Sequence, residues 1–577
     1  MTDLIFKLKQ SFQVALVLIG AATCAPWARA QSAGSAPDAG SLQQQIEREQ
    51  QSPTLRPQLQ PAAKGQTAAP PVGQTMVVRA FKFKGNTLLS SEELSQALVP
   101  LLDQPIDFSR VQSSAVVVAD LYRDKGWVVQ TLVPAQDISN GEVTIDIVEA
   151  VFGQVQFTGT PATRVAPEAL LSIFERQQQS GEFLNMNAVD RALLLADDLP
   201  GVTVSGNLAP GQQSTQTDLF LTVSDEPLLS GSASIDNTGA VSTGANRANL
   251  GFNVNSPLGF GDYLSASAMN AQGTNYLRMA YSVPLGSDGW RLGVNASRME
   301  YVLISEAYTR LNASGNSVTN GFELSYPWVR SRSFNLSTSL TADKKEYFNV
   351  SGGATTSEYN NIPLTLSMNA SGFDALGGGG ANALSLSLTG GRLNLDGSPT
   401  EASDASTTKT AGGYSKVRYA LSRQQQLDPG TTLYVALSGQ WARKNLDSSE
   451  KFYLGGSSGV RAYPSSEGGG TQGHMLNVEL RWQLPEGFNL VGFYDYGAIT
   501  QNAINDFTGA SALNSYGLQG LGMSLAWRAG LGLNLQATYS RRIGDNPNAI
   551  TTEVNQGADQ DGTFHRDRLW ITASIAF

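Results

Sequence analysis

Residues 459–464 read Gly459-Val460-Arg461-Ala462-Tyr463-Pro464, and residues 493–497 read Phe493-Tyr494-Asp495-Tyr496-Gly497. The segment between them alternates, with one face formed by Leu476, Val478, Leu480, Trp482 and Leu484 and the other by Asn477, Glu479, Arg481 and Gln483. Side chains alternate across a β-strand, so this segment predicts a strand with one apolar and one polar face. In a soluble sandwich the apolar face points inward, whereas in a membrane barrel it meets lipid and the polar face lines a wet lumen.

Both motifs resemble a pair known from one superfamily of outer-membrane transporters. The tetrad at 460–463 resembles the VRGY/F tetrad, and Phe493-x-Asp495-x-Gly497 resembles the FxDxG motif. The superfamily includes the two-partner secretion (TpsB) proteins, the group of FhaC, ShlB and HecB, and the BamA-type insertases. In these proteins the tetrad lies at the tip of a long extracellular loop that folds back into the barrel.

The resemblance implies that Arg461 pairs with Asp495 of the barrel wall, an interaction we name the loop-to-barrel lock. The supporting motif residues are Val460, Tyr463, Phe493 and Gly497. Such an Arg–carboxylate pair would be charge-assisted, and losing one partner would leave the other charge partly desolvated. The alternative is an ordinary surface-loop arginine and an ordinary lumen aspartate.

The tetrad departs from the family pattern at Ala462, where glycine is usual. This change weakens any inference about the backbone conformation at the loop tip. It leaves both ionic partners of the lock in place.

The composition agrees with a transmembrane β-barrel. Only 15% of the 577 residues are charged, Gly occurs 59 times, and no apolar run reaches the roughly 18 residues of a spanning helix. The length predicts several domains. The net charge of −10 argues against nucleic acid as a partner.

Residues 1–30 are predicted to be a secretory signal peptide. Lys7 and Lys9 precede an apolar stretch, and Ala28-Arg29-Ala30 has the small-x-small pattern of a cleavage site. Removing three positive charges and Asp3 would take the net charge from −10 to −12. Cys24, the single cysteine, would leave with the signal, which excludes a disulfide scaffold and a thiolate metal site.

Residues 31–51 are predicted to contain a helix at about 41–51, with Ser41 as a candidate cap. A disordered polar leader is the alternative. TpsB proteins carry a similar helix as a plug inside the barrel, so the resemblance implies a plug here. The Pro/Gln-rich residues 52–75 predict an extended linker.

Residues 76–149 predict a compact α+β domain. A strand at 77–83 is followed by a helix capped by Ser90, a helix at about 107–125, and strands at 127–134 and 143–149. This β-α-α-β-β order resembles a POTRA domain.

Residues 150–226 repeat the pattern and resemble the second POTRA domain of TpsB proteins. Two generic α+β domains are the alternative. Because free sheet edges can pair with an extended chain through the backbone, such domains suit unfolded cargo.

Residues 227–577 predict a transmembrane antiparallel barrel of short alternating strands, including 384–388, 433–441 and 569–577. The family implies sixteen strands, which the length permits. The terminal Phe577 resembles the signal by which the barrel-assembly machinery recognises its substrates. A packed strand at the end of a soluble sandwich is the alternative.

No catalytic or metal site is predicted, and no cofactor. The two histidines, His474 and His565, lack metal-ligand spacing, and the Gly-rich runs at 377–380 and 468–470 lack the Lys and Ser/Thr of a phosphate loop. We therefore expect a protein that is not an enzyme.

The resemblance implies an outer-membrane pore of a Gram-negative bacterium with periplasmic N-terminal domains. It would export a partner protein of the adhesin, haemolysin or contact-dependent toxin type. A BamA-like outer-membrane assembly factor is the alternative, and a passive porin or surface-binding barrel is a third possibility.

Overall fold

The computed structural model describes residues 36–50, 75–138, 140–160, 162–213, 215–465, 467–551 and 556–577. The predicted signal peptide with Cys24, and the predicted linker apart from Thr75, lie outside the described residues. Within these ranges, no helix is long and apolar enough to cross a bilayer.

The first described element is helix α1, Ala39–Gln50. The Asp38 side chain accepts a hydrogen bond from the Ser41 amide at 2.8 Å. Asp38 therefore caps the helix, and the prediction that Ser41 caps it is wrong. Aspartate caps a helix as well as serine does, so the sequence pattern alone does not decide between a cap at Asp38 and a cap at Ser41.

The first α+β unit, residues 75–149, packs two helices against a small sheet. Its strand order is β2-β5-β4, with β2 parallel and β4 antiparallel to β5, and a separate β1-β3 pair lies beside it. Ser90 Oγ accepts from the Glu93 amide at 3.2 Å at the start of α2, as the capping pattern predicts. The elements are β1 Thr75–Val77, β2 Ala80–Lys84, α2 Ser91–Leu98, β3 Pro105–Asp107, α3 Phe108–Asp124, β4 Val129–Leu132 and β5 Glu142–Glu149.

The second α+β unit, residues 150–225, has the sheet order β6-β8-β7. Backbone hydrogen bonds join it to the first unit: Val128 donates to Leu184 at 3.2 Å, and Met186 donates to Gly126 at 2.7 Å. The two units therefore meet through a continuous strip of paired backbone. The elements are β6 Val151–Thr158, α4 Pro167–Gln177, α5 Met186–Asp197, β7 Val202–Pro210 and β8 Gln216–Asp225.

The rest of the described chain is a closed barrel of sixteen strands in sequence order, β9–β19 followed by β22–β26, with β26 returning to β9. Every neighbouring pair is antiparallel, which confirms the predicted fold class. The strands are longer than the predicted short segments, because Gly, Ser and Asn continue a strand without sustaining the apolar alternation. They are β9 Leu229–Asp236, β10 Arg247–Asn255, β11 Tyr263–Ala271, β12 Thr274–Leu285, β13 Trp290–Val302, β14 Ser314–Arg330, β15 Phe334–Ser351, β16 Ala354–Asp374, β17 Gly380–Asn394, β18 Gly412–Asp428, β19 Thr431–Ala442, β22 Gln472–Gln483, β23 Phe488–Thr500, β24 Ser515–Arg528, β25 Leu533–Arg542 and β26 Asp567–Ala576.

The barrel exposes an apolar outer belt. Large apolar side chains on alternate positions point away from the lumen, among them Leu250, Phe252, Leu277, Met279, Phe322, Leu364, Leu366, Leu388, Leu521, Met523, Leu569 and Ile571. Aromatic rings stack near the turns at the end that carries the α+β units, including Trp290 on Tyr326 and Phe488 on Trp527. An apolar belt bordered by aromatic rings is the lipid-facing surface of an outer-membrane barrel.

The second α+β unit sits on the turns at this same end of the barrel. Arg330 donates two hydrogen bonds to Asp198, both at 2.7 Å, and Arg191 donates to the Pro327 carbonyl at 2.9 Å. The Ala166 amide also donates to the turn between β10 and β11. These contacts hold the unit against the barrel mouth.

A buried carboxylate, that of Glu149, links several elements of the first unit by hydrogen bonds. Glu149 accepts hydrogen bonds from the amides of Thr87 and Leu88 at 2.8 and 2.9 Å and from the Tyr122 hydroxyl at 2.8 Å. Burial alone would raise the pKa of Glu149, but the hydrogen bonds from Thr87, Leu88 and Tyr122 outweigh it and lower the pKa. A lowered folded-state pKa contributes stability above the ordinary value, and that stability is lost as pH falls through the folded pKa.

We predict that Glu149→Gln destabilises this unit by about 1–3 kcal/mol at neutral pH, because an amide cannot satisfy the same set of donors. Hydrogen exchange of the α3 and β5 amides in the full chain measures the effect. As the pH falls, the wild-type unit should also lose protection against exchange when Glu149 becomes protonated. The variant should not show this loss, because it has no carboxylate at position 149. Glu142→Gln, a change of half-exposed Glu142 on the same strand, is the control. Equal protection in both variants would contradict the prediction.

Candidate functional site: an occupied barrel lumen with an inward loop

The connection between β19 and β22, residues 443–471, folds back into the barrel, and we call it the inward loop. It carries a short antiparallel pair, β20 Phe452–Tyr453 and β21 Gly469–Gly470. Its apolar residues are buried against the wall in one cluster: Phe452, Leu454, Val460, Ala462 and Tyr463 from the loop, with Met475, Ile499, Leu513, Tyr516 and Leu518. Burial of these side chains holds the loop inside the lumen.

Arg461 lies at the tip of the inward loop and reaches Asp495 on β23. Its Nε donates to Asp495 Oδ2 at 2.9 Å and its Nη2 to Oδ1 at 2.7 Å, a bidentate pair. The Arg461 amide donates to the same carboxylate at 3.0 Å. The Asp495 side chain is fully buried and that of Arg461 nearly so. The structure thus brings together the two residues predicted to form the lock.

A second carboxylate also contacts Arg461, and sequence reasoning missed it. Glu479 Oε1 accepts from Arg461 Nη1 at 2.9 Å, while Arg481 Nε donates to Glu479 Oε2 at 2.8 Å. Asn477 donates to Asp495 at 2.8 Å. These residues belong to the polar face of β22, so the alternation placed them in the lumen without indicating which loop they would meet.

The other residues of the second motif shape the space around the arginine. The guanidinium carbon of Arg461 lies 3.4 Å from the centre of the Phe493 ring, in a cation–π contact. A Cβ at Gly497 would come within 2.7 Å of Leu454 and 3.2 Å of Val460. Glycine is therefore needed at this position for the loop tip to approach the wall.

The tetrad residues Val460 and Tyr463 are fully buried. The guanidinium of Arg542 on β25 lies 4.7 Å from the centre of the Tyr463 ring. The Arg461 carbonyl accepts from Ser540 at 2.7 Å and from the Trp570 indole at 2.8 Å. The tip is thus bound by backbone and side chain to strands β23, β25 and β26.

The alanine at position 462 fits because glycine lies opposite it. Ala462 is not among the residues with positive φ, so its backbone does not require glycine. A Cβ added to Gly520, the cross-strand neighbour of Asp495, would lie 2.5 Å from the Ala462 Cβ. The space between positions 462 and 520 therefore holds one Cβ atom but not two.

Helix α1 lies inside the barrel. Its apolar residues Ala39, Leu42 and Ile46 are buried against lumen-facing side chains of the wall and its loops: Met269, Tyr276, Met299, Tyr301, Leu303, Tyr308, Ala313, Tyr347, Tyr359, Leu393 and Leu395. These three apolar residues of α1 would be too few to form the core of a soluble domain. They are sufficient to bury the helix here because the lumen supplies most of the apolar surface. The described end of the predicted 41–51 helix is Gln50.

The polar side of α1 is paired with the wall. Glu47 accepts from Lys345 of β15 at 2.8 Å, and Glu49 accepts from Arg247 of β10 at 2.5 Å. Ser317 of β14 donates to Gln43 at 2.9 Å. These charged contacts were absent from the sequence interpretation, since the partners lie about 200 or more positions apart.

Arg48 of α1 points to the inward loop. Its guanidinium donates to the Tyr453 carbonyl and, at 3.4 Å, to the Ser458 carbonyl. A Cβ at Gly459 would come within 3.0 Å of the same side chain. The helix and the loop that carries the lock are therefore in direct contact.

The two histidines, which the sequence offered as possible metal-binding or catalytic residues, do not form a site together. His474 lies on β22 and His565 in the connection between β25 and β26, and both are exposed. Within the described ranges, no group of three or more His, Cys, Asp or Glu side chains is placed to hold a metal ion.

The fold and the lumen define a class of protein: an outer-membrane barrel transporter with N-terminal α+β units at the periplasmic mouth. Residues 215–525 match the family described as haemolysin secretion/activation protein ShlB/FhaC/HecB. Residues 76–150 match the POTRA domain of ShlB type. Because the first match covers more than half of the chain, the protein belongs to the ShlB/FhaC/HecB family, which confirms the predicted resemblance. It is an outer-membrane pore that exports a partner protein from the periplasm to the cell surface.

Similar proteins of known name agree with this assignment. The heme/hemopexin transporter protein HuxB of Haemophilus influenzae is 25% identical over 525 residues, which cover 88% of this chain and 90% of HuxB. The outer membrane transporter CdiB of Dickeya dadantii is 23% identical over 455 residues, 76% of this chain and 79% of CdiB. The structure of CdiB from Escherichia coli has a TM-score of 0.69 and 19% identity, and covers 94% of this chain and 100% of that one. The family match is to the secretion proteins and not to the BamA-like alternative.

We predict that the lock behaves as a coupled pair. Arg461→Asp and Asp495→Arg should each abolish export, because removing one partner of a buried ion pair costs about 3–5 kcal/mol. The double swap should restore export only in part, since the new carboxylate at position 461 would face Glu479. Adding Glu479→Gln to the swap should improve the recovery.

Export of the partner protein to the cell surface measures the effect, with barrel content checked by immunoblotting. Arg481→Gln is the matched control, because Arg481 lies on the same wall and pairs with Glu479 alone. Single variants whose effects simply add in the double variant would count against the lock.

We predict that Gly520→Ala lowers the thermal stability of the detergent-solubilised barrel, because overpacking of a filled site costs about 1–3 kcal/mol. Ala462→Gly in the same chain should restore stability by removing the opposing methyl group. Heat-modifiability on gels gives the measurement, with Ala462→Gly alone as the control. If the double variant is no more stable than Gly520→Ala, the proposed contact is not the cause.

Proposed function

We propose that α1 is the resting plug of the export pore and that the α+β units deliver the unfolded partner to it. The loop-to-barrel lock would then keep the inward loop ordered at the lumen wall. The observation that carries the proposal is the position of α1, which crosses the lumen of a closed barrel in contact with both the wall and the inward loop.

The contacts of α1 suit a removable segment. A helix of 12 residues is marginal in water, so the lumen supplies most of its stability. Few of its side chains are large and apolar, and Glu47 and Glu49 form buried ion pairs, whose attraction is offset by the hydration that both partners lose. A plug held in this way can be displaced without unfolding the barrel, whose backbone pairing closes on itself.

The α+β units supply strand edges for an incoming chain. In the first unit, β4 is an outer strand of its sheet, and no described strand pairs with its second edge. An extended segment can add to such an edge through backbone hydrogen bonds, whatever its sequence. We assign the role of a second POTRA domain to residues 150–226, which sit at the barrel mouth and would pass the segment on.

The cargo is proposed only as a class. A secreted adhesin, haemolysin or contact-dependent toxin fits a pore of this family, and the relatives themselves carry names as different as heme/hemopexin transporter and CdiB. We propose no catalytic step for the chain. Its assembly would involve outer-membrane lipid and the barrel-assembly machinery.

We predict that deleting residues 39–50 raises the single-channel conductance in a planar bilayer, because the largest object in the lumen is removed. Glu47→Gln combined with Glu49→Gln should raise the frequency of open events without deletion, since each carboxylate loses its charge toward the wall. Glu168→Gln combined with Glu175→Gln, which changes two exposed glutamates of α4, is the charge-matched control. Unchanged conductance after the deletion would rule out the plug.

A further inference from the structure

Lys345 is a buried cation on the barrel wall whose charge is balanced by the helix. Its side chain is 9% exposed, and its ammonium lies 2.8 Å from Glu47. Among the described residues this is the only ion pair of Lys345. Two other carboxylates act on Lys345 without forming an ion pair with it: Glu450 of the inward loop, which is paired with Lys416, and Asp343 on the same strand.

Arg247 provides a second such position on another part of the wall. Its side chain is 11% exposed, and it binds Glu49 at 2.5 Å and Asp236 at 2.9 Å. Asp236 belongs to the neighbouring strand β9, so Arg247 keeps one partner when the helix is absent. Lys345 therefore depends more strongly on the helix for an ion-pair partner than Arg247 does.

The two carboxylates are arranged to reach both sites at once. Glu47 and Glu49 are two residues apart, and side chains at this spacing point about 200° apart around a helix. They meet β15 and β10, which are not neighbours in the barrel. The cations thus belong to the fixed wall, while the carboxylates belong to the segment inside it.

Removing the helix would leave Lys345 and Arg247 on the wall without the glutamates that bind them. Once the helix is gone, these cations face the water-filled lumen without the carboxylates of the helix, so they would attract anions that enter it. Rings and clusters of Lys and Arg give pores their preference for anions.

We propose that the wall sites at Lys345 and Arg247 bind carboxylate groups of whatever occupies the lumen after α1 leaves. The open pore would then favour anions and acidic peptide segments over cationic ones. This inference rests on the proposed plug role of α1, which the deletion variant tests separately.

The test uses the chain lacking residues 39–50, reconstituted in a planar bilayer under a KCl gradient. The reversal potential should indicate preference for chloride over potassium. Lys345→Gln in this background should bring the ratio toward equality, and Lys345→Glu should move it toward potassium. Because the helix carboxylate that pairs with Lys345 is absent from this variant, these substitutions break no ion pair and should not impair folding.

Lys344→Gln and Lys344→Glu are the matched controls. Lys344 is the preceding residue on the same strand, its side chain is 57% exposed on the other face, and it pairs with Glu346. These variants should leave the reversal potential unchanged. Equal shifts at both positions would show that general surface charge sets the selectivity and would overturn the proposed site.

A second measurement addresses peptide carboxylates. A short oligoglutamate added to the deletion variant should block the current more strongly than an oligolysine of equal length, and Lys345→Gln should weaken that block. If deletion raises conductance but the pore prefers potassium, the plug stands and this inference fails. If deletion leaves conductance unchanged, the plug itself fails.

Discussion

The guanidinium of Arg461 can enter the barrel only because the wall meets it with two carboxylates. Asp495 binds two of its nitrogens at 2.9 and 2.7 Å, and Glu479 binds the third at 2.9 Å. Such a charge would be costly in a closed lumen without these partners. The surrounding residues follow from this requirement, because Phe493 offers a ring face and Gly497 leaves room for the loop. A long connection that would otherwise extend into solvent is thereby fixed against the wall.

The inward loop and helix α1 share the lumen but are held by different kinds of contact. The loop buries an apolar cluster that includes Leu454, Val460 and Tyr463, each almost completely buried. The helix contributes only a narrow apolar stripe and relies on ion pairs to Lys345 and Arg247. Apolar burial resists separation in water, whereas the attraction in the buried ion pairs of the helix is offset by the hydration that both partners lose. The loop is therefore the more permanent of the two occupants.

The sequence predicted the elements whose signal is local. The capping serine Ser90, the alternation of β22 and the two short motifs all depend on residues within a few positions of one another. The contacts that fill the lumen could not be predicted, because Lys345 and Glu47 are separated by 298 positions and Arg247 and Glu49 by 198. Alternation shows which face of a strand a charge occupies. It does not show which distant segment will meet that charge, and this is why Glu479 was missed as a partner of the lock.

The turn that follows β9 brings the helix, the inward loop and the closing strand pair to one place. Five contacts meet there. Arg247 binds both Glu49 of the helix and Asp236, and Ser465 of the loop donates to the Thr238 carbonyl at 3.2 Å. Asn237 donates to the Leu569 carbonyl at 2.9 Å and accepts from the Ile571 amide at 2.7 Å. The β26–β9 ladder pairs Thr572–Ala576 with 232–236, and Gly231 and Phe577 exchange backbone hydrogen bonds at one end of it. The side chain of Asn237 prolongs this short seam at the other end. Since Asp236 remains bound to Arg247 when Glu49 departs, the turn keeps an internal ion pair. The barrel would therefore stay closed if the helix left the lumen.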